Sequence, residues 1–112
     1  MSCLFCDIAA GTIPTRKAYE DDAVIVFHDI APQAPVHLIA IPKKHFDSVR
    51  DVQREDGALI GYLMTIVAQL ARELDLPEGF RLVVNTGPHA GQTVQHLHVH
   101  LLGGHALPMA LG

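Results

Sequence analysis

The stretch that decides the fold is His96-Leu97-His98-Val99-His100-Leu101-Leu102. Histidine alternates with aliphatic residues over its length. Side chains of a strand point to opposite faces in turn. His96, His98 and His100 therefore share one face, about 6.6 Å apart at each step. Leu97, Val99 and Leu101 point the other way, into a core. Gln95 precedes the run, and Gly103-Gly104 ends it, so Val94 to Leu102 reads as the last strand. Three imidazoles on one face cost stability unless they are hydrogen-bonded or used. The bland reading is a row of satisfied surface histidines. A tris-histidine metal site and a histidine nucleophile held by its neighbours are the chemical readings. Periodicity alone does not choose between them.

Working back from this strand, Thr86-Gly87-Pro88-His89-Ala90-Gly91 is a glycine-containing loop, and Phe80 to Asn85 is a strand. The short link makes these two strands antiparallel neighbours. Between Glu55 and Leu74, the residues Leu59, Leu63, Ile66, Leu70 and Leu74 recur at spacings of three and four. Ile60 and Val67 widen the stripe, which predicts an amphipathic helix stopped by Pro77 and Gly79. Val36 to Ile41 is a strand closed by Pro42, and the Ala31-Pro32-Gln33-Ala34-Pro35 segment before it is a loop. His37 alternates with Ile39 in that strand and is placed to bring a fourth imidazole near the others. Ala18-Tyr19-Glu20 and Ala23 to Phe27 flank Asp21-Asp22 as a hairpin. The segment from Cys3 to Thr15 is short and carries no assigned element. The expected class is α+β: an antiparallel sheet of about five strands with one long helix on it.

Composition narrows the function classes. The chain has 112 residues, enough for one domain over 1–112. Hydrophobic residues make up 49% and charged residues 18%, which disfavours disorder. The net charge of −4 offers no basic surface for nucleic acid. The N-terminal residues do not read as a signal peptide, and no apolar run reaches the roughly 18 residues of a membrane span. Cys3 and Cys6 are the two cysteines, too few for a secreted disulfide framework. These features suggest a cytoplasmic protein that needs neither nucleic acid nor a membrane. A chain this short buries a modest fraction of its surface, so a dimer or a metal would help it.

The histidine strand resembles the His-φ-His-φ-His-φ-φ motif of the histidine-triad (HIT) superfamily, where φ is a hydrophobic residue. Four further segments match its Hint branch, the histidine-triad nucleotide-binding proteins, in order and spacing. They are Phe27 to Pro35, Ile41-Pro42-Lys43-Lys44-His45, Val84-Asn85-Thr86-Gly87 and Gly91-Gln92-Thr93-Val94. The resemblance implies a protomer that pairs into a homodimer with one continuous sheet. It further implies binding of purine nucleoside monophosphates of AMP or GMP type and hydrolysis of their phosphoramidates. A nucleotide-binding regulatory module with incidental catalysis is the alternative.

By this resemblance His98 is the nucleophile and carries a nucleotidyl-imidazole intermediate, with no metal needed for the chemistry. His100 would hydrogen-bond the phosphate, and His37 would support the triad. Gly91, Gln92 and Thr93 would bring backbone N–H groups to the phosphate, with the Thr93 hydroxyl as a further donor. Asn85 matches a position that contacts phosphate or ribose. Asp29 would accept the ribose hydroxyls, since a carboxylate offers only acceptors. Phe27 and Ile30 would wall the base pocket. Cys3-Leu4-Phe5-Cys6 resembles the N-terminal pair of zinc-containing HIT proteins, which His45 and His96 would complete as a closed structural site. Eukaryotic Hint tails carry a tryptophan near the end; this chain has none, and Met109 stands at about that place.

Overall fold

Val24, Ile25, Val26 and Phe27 are all buried, so this strand meets apolar neighbours on both faces. Alternation sorts them. Val24 and Val26 join Leu38, Ala40, Val99 and Leu101 in one core, against Leu63, Ile66, Val67 and Leu70 of the long helix. Ile25 and Phe27 join Ile39 and Ile41 in a second core, against Phe5 and Ile8 near the N-terminus. The protein is thus one sheet with an apolar layer on each side.

The computed structural model describes residues 3–109. The elements in chain order are α1 (Leu4–Ala10), β1 (Lys17–Glu20), β2 (Val24–His28), β3 (Val36–Pro42), α2 (Gly57–Glu73), β4 (Phe80–Val83) and β5 (Val99–Gly103). Short 3-10 turns at Val49–Asp51, Arg54–Asp56 and Pro88–Ala90 lie in the connections. The sheet order is β1-β2-β3-β5-β4, and all four pairings are antiparallel. The expected α+β sheet with one long helix is therefore present, and β4 and β5 are the predicted neighbours. Asp21 makes the first hairpin: its Oδ1 accepts from the amides of Ala23 (2.8 Å) and Val24 (2.9 Å). Its Oδ2 accepts from the Tyr19 hydroxyl at 2.8 Å and from that of Tyr62 on α2, tying hairpin to helix. Among the described residues no helix is long and apolar enough to cross a membrane.

Two expectations need correction. The unassigned N-terminal segment contains α1. The Cys3 sulfur caps it by accepting from the Cys6 amide, and Gly11 ends it in the left-handed conformation at φ 81°. The last strand is shorter than Val94 to Leu102, because its first half is held by other partners. The Leu97 amide donates to Phe46 O at 2.7 Å, and the Pro42 carbonyl is taken by the His96 ring at 2.8 Å. The β3–β5 ladder therefore stops at the Ala40–Val99 pair.

Candidate functional site

The triad rings stand on the α1 side of the sheet. His98 and His100 have ring centroids 4.9 Å apart, as alternation requires. Opposite them β3 delivers His37, whose Nε2 is 2.9 Å from His100 Nδ1. His96 shares the face but turns toward α1, as described below.

The hydrogen bonds fix the tautomers. The Gln33 amide donates to His37 Nδ1 at 3.0 Å, so the proton of neutral His37 is on Nε2. His37 Nε2–H then donates to His100 Nδ1, which leaves His100 with its proton on Nε2. Asp29 Oδ2 lies 3.4 Å from His37 Nε2 and adds negative charge beside it. His98 Nδ1 is 2.7 Å from the His96 carbonyl, which can only accept. His98 therefore holds its proton on Nδ1, and its Nε2 lone pair is free.

Asp29, His98 and His100 border a cavity of about 340 Å³. Leu4, Phe5, Ile8, Phe27, Ile39 and Val94 give it apolar lining, and Asp29, Asn85, Thr93, His98 and His100 bring polar groups to it. An apolar cavity with a few convergent polar groups suits a small ligand. Asp29 Oδ1 accepts from the Ala31 amide at 2.7 Å, which orients the carboxylate. Asn85 Nδ2 donates to Ala90 O at 2.8 Å, so its side-chain oxygen is the atom left for a ligand. Thr93 is exposed, at the same cavity as His98.

Three predicted site residues sit differently from expectation. Gln92 is buried and faces away from the cavity. Its amide nitrogen donates to Asp47 O (2.6 Å) and Val94 O (3.0 Å), and its oxygen accepts from the Gly87 amide (2.9 Å). It braces the loop. The Gly91 and Gln92 backbone amides donate to Pro88 O and Gly87 O, both at 3.1 Å, and so are occupied closing the turn. Gly91 is at φ 80°, where a side chain would strain the backbone. Ile30 is 98% exposed and stands at the cavity rim. Sequence reasoning missed Leu4, Phe5 and Ile8 as lining. The spacing of Phe5 and Ile8 before Gly11 was the available signal.

Cys3, Cys6, His45 and His96 converge beside this cavity. Their ligand atoms all lie within 4.8 Å of one another. His96 Nδ1 is 3.4 Å from each sulfur and 3.1 Å from His45 Nδ1, which is 3.2 Å from Cys6 Sγ. A tetrahedral zinc with bonds of about 2.3 Å to sulfur and about 2.0 Å to nitrogen sets such edges at about 3.3–3.8 Å. The other ring nitrogens are oriented as ligating histidines require. His96 Nε2 meets the Pro42 carbonyl at 2.8 Å, and His45 Nε2 meets Asp47 Oδ1 at 2.6 Å. The donor set fits a closed zinc site.

Burial holds His37 below its ordinary pKa against the raising effect of Asp29. Burial, then the positive charge that His98 and His37 can carry, moves His100 from 6.5 to about 4. Both shifts are downward, so the unfolded chain binds more protons below pH 6.5. Their contribution is fully present above that pH and is lost as pH falls, that of His100 through about 4. The urea midpoint should drop between pH 7 and pH 5. His100→Asn with the same metal content should show a shallower drop; an equal drop would show that His100 does not contribute.

The sequence family described as "Scavenger mRNA decapping enzyme C-term binding" matches residues 2–110. An uncharacterized HIT-like protein of Synechococcus elongatus is 47% identical over 104 residues, 93% of this chain and 91% of that protein. The solved structure of a HIT family hydrolase from Legionella pneumophila Philadelphia 1 superposes with a TM-score of 0.97 at 43% identity. It covers 99% of this chain and 100% of its own. A histidine triad nucleotide-binding protein from Candida albicans superposes with a TM-score of 0.82 at 30% identity, over 99% of this chain and 87% of that one. With the three histidines in one alternating run, the fourth imidazole opposite and these relatives along nearly its whole length, the chain belongs to the histidine-triad superfamily.

Proposed function

We propose that the protein is a nucleotide-binding hydrolase that cleaves the P–N bond of purine nucleoside phosphoramidates. The observation that carries this reading is the His98 tautomer: a buried imidazole with Nδ1 held by a carbonyl and Nε2 free at an apolar cavity. The names of the Legionella hydrolase and the Candida nucleotide-binding protein support hydrolysis and nucleotide binding.

The base sits against Phe27 and the α1 side chains, and Asp29 accepts the ribose hydroxyls. His98 Nε2 attacks the α-phosphorus as the P–N bond breaks. The amine nitrogen takes a proton from water and leaves. The His98–phosphorus adduct is cationic, and its Nδ1–H still donates to the His96 carbonyl. His100 Nε2–H and the Thr93 hydroxyl donate to phosphoryl oxygens, where charge builds. Water then attacks phosphorus, the N–P bond breaks, and a proton is released with the nucleoside monophosphate. The two steps together consume one water. His37 orients His100 through the bond between them and is a positioning residue. Zinc on Cys3, Cys6, His45 and His96 would brace the end of the catalytic segment. Four protein ligands leave it no open position for water or substrate.

Adenosine phosphoramidates with varied amines should release AMP with multiple turnovers. AMP binding without any release would leave a nucleotide-binding module as the function.

A homodimer belongs to the same reading. Strand β4 is a sheet edge, and Phe80 and Leu82 on it, with Val84 just beyond, are 36–46% exposed on alternate positions. An apolar edge strand favours pairing with another chain. Light scattering at micromolar concentration should give a dimer, and Leu82→Glu should shift it toward monomer. A monomer-sized parent protein would refute the pairing.

A further inference from the structure

Phe5 lies between Cys3 and Cys6 in the chain, and its ring packs against that of His98. It is 5% exposed and meets three rings edge-on. The centroid of His98 is 5.0 Å away at 86°, that of Phe27 is 5.4 Å away at 71°, and that of His96 is 6.1 Å away at 69°. We propose that Phe5 is a positioning residue for His98, and that through it the four-ligand centre sets the nucleophile's ring. This inference rests on the reading of His98 as nucleophile.

A helix of seven residues such as α1 does not hold itself in water. Its place is set by what anchors it. Phe5 and Ile8 are its buried residues, and Cys3 and Cys6 flank Phe5 on both sides. The contacts of those two sulfurs with His45 and His96 tie this turn to the rest of the chain. The His98 ring in turn has a hydrogen bond at Nδ1, to the carbonyl of His96, and the edge contact with Phe5. These two supports come from the four-ligand centre, one being the backbone of a ligand and the other the neighbour of two ligands; a third contact, the His100 ring 4.9 Å away, comes from β5. A single hydrogen bond leaves the imidazole able to tilt about its axis. The perpendicular Phe5 ring packed 5.0 Å away restricts that freedom. Loosening the centre frees α1, then Phe5, then the aim of Nε2.

The test uses full-length protein labelled with ¹⁵N, with metal measured by elemental analysis and the His98 ring followed in imidazole ¹H–¹⁵N spectra. The parent protein should contain about one zinc per chain and show a single His98 tautomer protonated on Nδ1. Phe5→Leu should keep its zinc, broaden or split the His98 ring signals, and lower kcat roughly ten- to a hundredfold. Phe5→Met serves if Phe5→Leu does not fold. Chelation of the parent should change the ring signals in the same way while circular dichroism shows a folded chain. Chelation of Phe5→Leu should add little, because the two act through one path.

A raised KM with unchanged kcat and ring signals would make Phe5 a base-pocket wall only and overturn the proposal. Additive effects, absence of zinc, or outright unfolding on chelation would overturn transmission from the centre. If the parent hydrolyses no phosphoramidate, the functional reading fails separately, and the ring spectra still decide the role of Phe5.

Discussion

His98→Ala should bind AMP about as well as the parent protein and hydrolyse adenosine phosphoramidate about 10⁴-fold more slowly, or worse. Binding should survive because Phe27, Asp29 and Asn85 are untouched and the methyl group leaves only extra room. Turnover should collapse because none of the neighbouring rings can replace the lost atom. His100 accepts at Nδ1 from His37 and presents a protonated nitrogen to the cavity, so it has no free lone pair there. His96 has both nitrogens engaged, one at Pro42 and one among the sulfurs. Calorimetry with AMP and a turnover assay decide the matter together. Turnover within tenfold of the parent would remove His98 from the covalent role, and loss of both activities would point to a folding defect.

Cys6→Ser should lose the metal and lower the melting temperature by about 10–20 °C, on the scale of about 4–8 °C per kcal/mol for a small domain. Structural zinc contributes its binding free energy to folding. The site joins segments that are otherwise far apart in the chain: Cys3 and Cys6, His45 and His96. His96 is fully buried, so without a cation the variant leaves its imidazole packed against one thiol and a hydroxyl with no charge to organise them. Scanning calorimetry with elemental analysis on the same sample measures both quantities. An unchanged melting temperature would show that the four side chains meet without holding anything.

The sheet and the long helix were legible because their signals are local. Leu59, Leu63, Ile66 and Leu70 recur with the helical period, and the alternation of His98, Val99, His100 and Leu101 survives in the structure as one chemical face and one core face. His37 was legible for the same reason, since two residues before Ile39 it shares that residue's face and not that of Leu38. What escaped depends on partners distant in sequence. Gln92 has the look of a ligand-binding loop residue, and only the carbonyl of Asp47 turns it inward. The first half of the histidine run reads as strand, but Phe46 and Pro42 claim its hydrogen bonds. Helix α1 offers only the single i,i+3 pair Phe5 and Ile8 as a periodic signal, and side chains from other elements hold it. The Cys-x-x-Cys pair drew attention to chemistry at that place, while the helix it caps went unnoticed.

Strand β5 lies inside the sheet, with β3 on one side and β4 on the other, whereas α1 is held by side chains alone. The two halves of the cavity therefore differ in how they tolerate change. Amides of β5 should exchange with solvent only when the whole domain opens, and those of α1 through small local openings. Under the proposed function, a change at Leu4, half exposed at the cavity, would alter the lining without touching the β3–β5–β4 ladder. The architecture anchors His100 in the ladder, with His98 just ahead of the strand's first residue, and leaves one wall of the cavity to a short segment outside the sheet.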